Sequence, residues 1–458
     1  MLRITGATRI VVDATTERDG DLVVVGGRVV PPDALPDPPG EQPETLDAAG
    51  GIITPGLVNA HHHLLQCAFR TLPGTRGVPM REWLTVMGAA YRTVGVDPEL
   101  VGAAAAVGLA EALLSGVTTV ADHHLTWPAG VDPVGLAAAT ATAARRLGAR
   151  LVLVRGTAGD DPQDAATSVD AVVAALLPAG PALLPAEPAL LPAGPDRPAA
   201  GRATGGVSSD GMLQLAVGPA GVHSDGRETF ALLAEAADRH GLRRRTQANE
   251  QVDVVVAAER YGRRPLDLLA DWGWLAPDVT LAHLCDVTAD EIARLAAAGV
   301  TATHAPGCDL SMGWGIAPVA GLRGAGVPVG LGTSGGGSND AGHLLADARL
   351  AMQVAPLVGP PLAAREVLAM ATAGSAAGLG RDELGHLRPG AAADLCVWDV
   401  SGVADAGVAD PVAGLLWASP GRRPRHVVVA GRVVVRDHRL VDADEAALVA
   451  ALAARLRR

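Results

Sequence analysis

The sequence predicts an α/β protein: a (β/α)8 TIM barrel with a small β-sandwich domain formed by both chain ends. Three observations carry this. The chain has 458 residues, which suits a large barrel with a smaller appended domain. Apolar side chains make up 49% of it, enough to bury a sizeable core and to exclude bulk disorder. Between two strand-rich ends, short apolar strands alternate with helical patterns.

Taken in order, residues 10–12 and 22–25 are short apolar strands split by a polar turn, and Gly26-Gly27-Arg28 punctuates the next. Gly56-Leu57-Val58 starts an apolar run that leads into His61 and His63. Residues 100–114 read as a helix, followed by a strand at 117–120. Further helices are predicted at 230–240 and 290–298, and further strands at 300–303 and 327–332. Strand character returns at 395–398, 426–429 and 433–435, with a hairpin turn at Gly431-Arg432. The Ala/Leu-rich end, 444–458, has a basic tail that suits a closing helix. The predicted division is 1–54 with 381–458 as a composite β-sandwich, and 55–380 as the barrel.

One stretch departs from this pattern. Residues 176–195 repeat Leu-Leu-Pro-Ala three times, from Leu176, Leu183 and Leu190. Proline at that frequency precludes a regular helix. A Pro/Ala-rich insert, extended or disordered at the surface, is predicted over about 176–209.

All 37 basic residues are Arg, so neither a Schiff-base lysine nor a carbamylated lysine bridging two metals is available. The net charge of -12 argues against a nucleic-acid partner. The short clusters Arg243 to Arg245 and Arg422, Arg423 and Arg425 read as solvated faces. Cys67, Cys285, Cys308 and Cys396 are far apart, with no CxxC, which predicts reduced thiols and a cytoplasmic location. Cys285 and Cys308 read as buried structural thiols. No signal peptide and no membrane-spanning run is predicted.

Residues two apart on a strand share a face, so His61 and His63 can both point along the barrel axis. Such an HxH pair at a strand end is a good chelate for a transition metal. The segment Asn59-Ala60-His61-His62-His63-Leu64, within the run from Pro55 to Gln66, resembles the first-strand metal motif of the amidohydrolase superfamily. It looks like the deaminase and chlorohydrolase branch, which includes 8-oxoguanine deaminase, guanine deaminase and the triazine hydrolases. Matches continue through residues 110–119, Ala121-Asp122-His123-His124, Gly315-Ile316-Ala317-Pro318, Gly337-Ser338-Asn339-Asp340 and residues 387–395.

The resemblance implies a mononuclear metal held by the HxH pair, a fifth-strand His and an eighth-strand Asp. Here the fifth-strand His-x-x-Glu position reads Gln247-Ala248-Asn249-Glu250, and the eighth-strand position reads Gly330-Leu331-Gly332-Thr333-Ser334-Gly335. Gln247 and Ser334 stand where the resemblance places the two remaining ligands. The sixth-strand His of the family matches His283. By resemblance the pocket walls are Gln66, Trp83, Trp127 and His223, and the assembly is a homodimer.

A metal lowers the pKa of bound water from 15.7 to about 7, worth about 12 kcal/mol toward hydroxide. Gln and Ser do not replace an imidazole and a carboxylate in that role. The expected activity is therefore acid/base chemistry by Glu250 and His283 on a small nitrogen heterocycle or related compact small-molecule substrate, with no cofactor or only weak metal dependence. Two alternatives stand beside it. One is a metal-dependent C–N hydrolase or deaminase with a residual zinc or iron on His61, His63 and His283. The other is a non-catalytic relative that binds a ligand or a partner.

Overall fold

The computed structural model describes residues 1–31, 44–177 and 206–458. Eight parallel strands form its centre: β1 (Leu57–His63), β2 (Val117–His124), β3 (Arg150–Thr157), β4 (Leu213–Pro219), β5 (Arg243–Ala248), β6 (Val279–His283), β7 (Thr301–His304) and β8 (Val329–Leu331). Each pairs with the next in chain order. A short strand after β8, Ser334–Gly335, pairs in parallel with β1, setting Ser334 opposite His62. The sheet thus closes on itself, and the fold is a (β/α)8 barrel.

The helices carry the end signals their sequences offer. Helix Pro98–Leu114 has Pro98 in its first turn, and the Asp97 carboxylate accepts from Leu100 N at 2.8 Å. Helix Ala289–Ala298 opens with a Thr288/Glu291 capping box and ends at Gly299 in the left-handed conformation. Aromatics are scarce, so the core is Ala, Val and Leu, with Val58, Ala121, Val154 and Ala216 among the clustered barrel residues.

Both chain ends build two further sheets. One holds Arg28–Val30, Leu22–Val25, Leu2–Thr5 and Glu44–Asp47; the other has seven strands and joins Ile52–Pro55 and Arg9–Val11 to Leu395–Trp398 and His426–Val429. Ile4, Leu22 and Leu46 of the first sheet share a buried cluster with Ile10, Ile53, Val397 and Val428 of the second. The barrel is tied to the returning chain by Arg150 of β3, whose guanidinium donates to both oxygens of Asp394 at 2.6 and 3.0 Å, both side chains being buried.

Three expectations need correction or restriction. Arg243, Arg244 and Arg245 do not form a solvated face; they lie in β5 and are all buried. Each is satisfied internally: Arg244 forks onto Asp278 at 2.6 and 2.7 Å, while Arg245 donates to the Ala60 and Gly378 carbonyls. A charge run can therefore be a strand when carbonyls and carboxylates meet every fork. Arg422 is likewise buried, against Asp405. The Pro/Ala-rich insert begins later than the repeat suggests, because Leu176 still closes helix Pro162–Leu176. Residues 178–205 of that insert lie outside the described residues.

Candidate active site

The chemistry-bearing side chains meet at the C-terminal ends of the strands, where loops give catalytic groups access to solvent. Three strand ends there adopt the left-handed conformation at residues other than glycine: Asn249 (φ 55°) after β5, His283 (φ 75°) and Leu284 (φ 56°) at β6, and Ser334 (φ 54°) after β8. Each costs of order 1–3 kcal/mol, and such strain gathers at functional sites. Glycine serves a different need at Gly218 of β4, where a β-carbon would lie 1.5 Å from the Arg245 carbonyl oxygen.

Four imidazoles line the centre. His61 lies with ring centroids 4.8 Å from His63, 5.2 Å from His283 and 5.8 Å from His123. His63 Nδ1 donates to the His123 carbonyl at 2.7 Å, leaving Nε2 as the free nitrogen. His123 Nε2 donates to the Gly218 carbonyl at 2.8 Å. His61 Nε2 is buried with no hydrogen-bond partner among the described residues. Burial, then the neighbouring imidazoles, hold His61 well below its ordinary pKa. Burial also pushes His63 down to about 3 and His123 to about 4. These three rings are neutral.

His283 differs. Its Nδ1 donates to Asp309 Oδ1 at 2.6 Å. Gln247 Nε2 donates to the Ala220 carbonyl at 3.0 Å, so its Oε1 is the acceptor that faces His283 Nε2 at 3.2 Å. Acceptors therefore face both ring nitrogens of His283, an arrangement that favours the doubly protonated ring. Burial opposes that charge, but Asp309 and Glu250 outweigh burial and raise His283 above its ordinary value. Asp309 is fully buried, and despite burial the His283 and His304 rings hold it below the usual carboxylate range.

Glu250 sits at the entry to helix Gln251–Tyr261 but does not cap it. Its carboxyl is turned inward, 3.5 Å from His283 Nε2. It is fully buried, with both oxygens lacking a hydrogen-bond partner among the described residues. Burial raises it to about 7, outweighing the pull of His283 and His223. A carboxyl poised near neutrality beside an imidazolium is suited to proton transfer.

A cavity of about 290 Å³ lies beside this cluster, lined by His63, Gln66, Trp83, His223, Gln247 and Ser334 among others; Glu250 and His283 lie buried behind that wall. Gln66 and Trp83 also clamp one loop, Gln66 Oε1 accepting from Gly337 N and Trp83 Nε1 donating to Gly337 O, both at 3.1 Å. His223 is held by Asp253 through its backbone N at 3.1 Å and its ring at 3.2 Å. Trp127 lines an adjoining cavity that Gln66 and Trp83 also line, with Nε1 donating to the Gly156 carbonyl at 2.8 Å and the Arg155 guanidinium 4.4 Å from the ring centre.

The sequence reading missed Asp309, Asp253 and Trp314, whose ring meets His283 edge-on at 5.1 Å. Trp314 could have been singled out on aromatic scarcity alone. Asp309 could not, since nothing in the sequence distinguishes it from a surface carboxylate on the short helix Pro306–Ser311. Among the described residues, the possible metal-binding trio whose ligand atoms all lie within 4.8 Å of one another is His283, Cys308 and Asp309.

Comparison with known proteins fits this architecture. The model of the Amidohydrolase family matches residues 52–434. An 8-oxoguanine deaminase of Pseudomonas aeruginosa is 34% identical over 450 residues, covering 94% of this chain and 93% of that protein. A 5-methylthioadenosine/S-adenosylhomocysteine deaminase of Halobacterium salinarum is 33% identical, covering 98% of this chain and 95% of that protein. The crystal structure of an atrazine chlorohydrolase from Arthrobacter aurescens TC1 complexed with zinc superposes with a TM-score of 0.85 at 33% identity, covering all of both chains. With a family match across the barrel and relatives of this identity over almost its whole length, the chain belongs to the amidohydrolase family.

Proposed function

We propose that this chain is an amidohydrolase-fold enzyme acting on a small nitrogen heterocycle, with Glu250 and His283 as its acid/base pair and little or no dependence on the family's metal. The substrate class follows from the relatives, which are named for purine-type and triazine substrates. The observation that carries the mechanism is His283 held as an imidazolium between Asp309 and Gln247, with the unpaired Glu250 carboxyl beside it.

The residues at the ancestral ligand positions do not fit the family's four-ligand group. Gln247 is engaged at both ends of its amide, by Ala220 and His283. Ser334 offers a hydroxyl where the resemblance expects a carboxylate, so the four positions carry no negative charge. A cation there also faces the His283 charge about one ring away. Like charges at such spacing in a buried site repel by several kcal/mol. The fixed positive charge that a metal supplies is provided here by a protonated ring.

In this reading, substrate enters the 290 Å³ cavity and stacks on Trp83. His283 donates a proton to a ring nitrogen or leaving group through Nε2 once Gln247, which lies between it and the cavity, gives up its hydrogen bond there. Glu250 takes a proton from water or from the heterocycle. Burial on all sides strengthens both interactions.

A second reading keeps a metal on His61 and His63. The unpaired buried Nε2 of His61 supports it, as does the His63 Nδ1 bond to a carbonyl, the orientation that metal-ligating histidines adopt. The test is turnover of an amino-purine and amino-triazine panel, read as ammonia release, with and without chelator. Activity that survives chelator and is lost in His283→Asn supports the first reading. Activity lost to chelator and restored by zinc contradicts it and favours the second.

A further inference from the structure

On β5, Arg243, Arg245 and Gln247 share one face, because residues two apart on a strand point the same way. Gln247 meets His283 at the barrel mouth. One step below it, Arg245 spans the barrel interior. Its Nη1 donates to the Gly378 carbonyl at 3.2 Å, and its Nη2 donates to the Ala60 carbonyl. Gly378 belongs to the helix Ser375–Leu379, which packs against Thr280, Thr301 and Gly330 near the starts of β6, β7 and β8. That helix is the floor of the barrel. Ala60 directly precedes His61. The guanidinium therefore stands between floor and mouth, one hydrogen bond from the backbone that carries His61.

Arg245 is 3% exposed, and no carboxylate pairs with it among the described residues. Both acceptors are uncharged carbonyls. An arginine keeps its proton in such a place; burial, then the neighbouring Arg243, lower its pKa only to about 9. Burying a charge without a counter-ion costs stability, and an apolar side chain would fill the same space without that cost. The charge also reaches the rings above. After burial and the neighbouring imidazoles, Arg245 is a further cause that depresses His61, and it acts on His123 as well.

We infer that Arg245 excludes a divalent cation from His61 and His63 through its fixed positive charge. This rests on the proposed chemistry with little or no metal, and it names a residue that enforces it. Gln247 and Ser334 remove attraction for a cation, whereas Arg245 adds repulsion. Restoring the two ligand types alone therefore recovers only part of a family-like metal affinity. In a buried site, a unit positive charge within about 10 Å of a divalent cation weakens its binding by more than about a hundredfold.

The test is zinc titration against a chelating indicator, on the unsubstituted chain and on the double variant Gln247→His with Ser334→Asp. To the double variant is then added Arg245→Gln, Arg245→Met or Arg245→Lys. Gln keeps an amide donor for one carbonyl and Met keeps the length of the stem; both remove the charge. Each should tighten zinc by about a hundredfold over the double variant. Lys keeps the charge and loses the guanidinium fork, so it should leave zinc affinity where the double variant has it. Thermal melting confirms which variants fold, and either uncharged one suffices. Zinc affinity unchanged by loss of the charge, or tightened as much by Lys as by Gln, would overturn the exclusion while leaving the metal-poor reading intact. Tight, stoichiometric zinc in the unsubstituted chain would overturn both.

Discussion

Glu250→Gln separates a proton carrier from a structural carboxyl, because the two roles predict opposite effects on stability and turnover. Moving a carboxyl from 4.5 to about 7 costs about 3 kcal/mol of folding stability once the group is ionised. The folded-state value lies above the unfolded one. The cost is therefore absent below pH 4.5, grows as the unfolded chain ionises, and is complete above pH 7. Gln has the same shape and no charge, so the variant should match the parent in acid and exceed it by up to about 3 kcal/mol above neutrality. Denaturant unfolding at a series of pH values reads this directly. Turnover should fall by about 10²–10⁴-fold, the usual worth of a positioned acid or base. A variant that is less stable at neutral pH, or that turns over at the parental rate, would refute the assignment of Glu250.

Three further predictions concern the groups around it. Asp309→Asn removes the charge that keeps His283 protonated, so the alkaline limb of the pH–rate profile should move to lower pH; an unmoved limb would show that another group sets it. Gln247→His combined with Ser334→Asp restores the ligand types implied by the family resemblance, and elemental analysis should find zinc in the double variant well above the parent. Asp394→Ala leaves the Arg150 guanidinium buried and unpaired, and should cost about 3–5 kcal/mol in denaturant unfolding; a change near zero would mean that water reaches the site.

The barrel could be read from the sequence because strand and helix signals alternate, and residues two apart on β1 had to share a face. His283 and Glu250 were singled out by the resemblance to the family's motifs, and each lies at or just past a strand end. Asp309 and Trp314 were not, since both follow β7 in a connection whose path only tertiary packing sets. The three arginines of β5 misled because charge ordinarily marks solvent, whereas here Asp278 and several carbonyls are placed to meet them. Trp127 lines one cavity together with Gln66 and Trp83, held there by a hydrogen bond to Gly156 and the stacked Arg155, but it does not reach the smaller cavity that His223 lines.

The central claim is that a neutral, internally bonded Gln247 and a hydroxyl at Ser334 leave the barrel mouth without the ligands for a tight cation. Elemental analysis of the intact protein, purified without added metal and without chelator, tests this most directly. Zinc and iron should be far below one per chain, with turnover intact. One zinc or iron per chain, retained through dialysis and lost in His61→Ala, would contradict it.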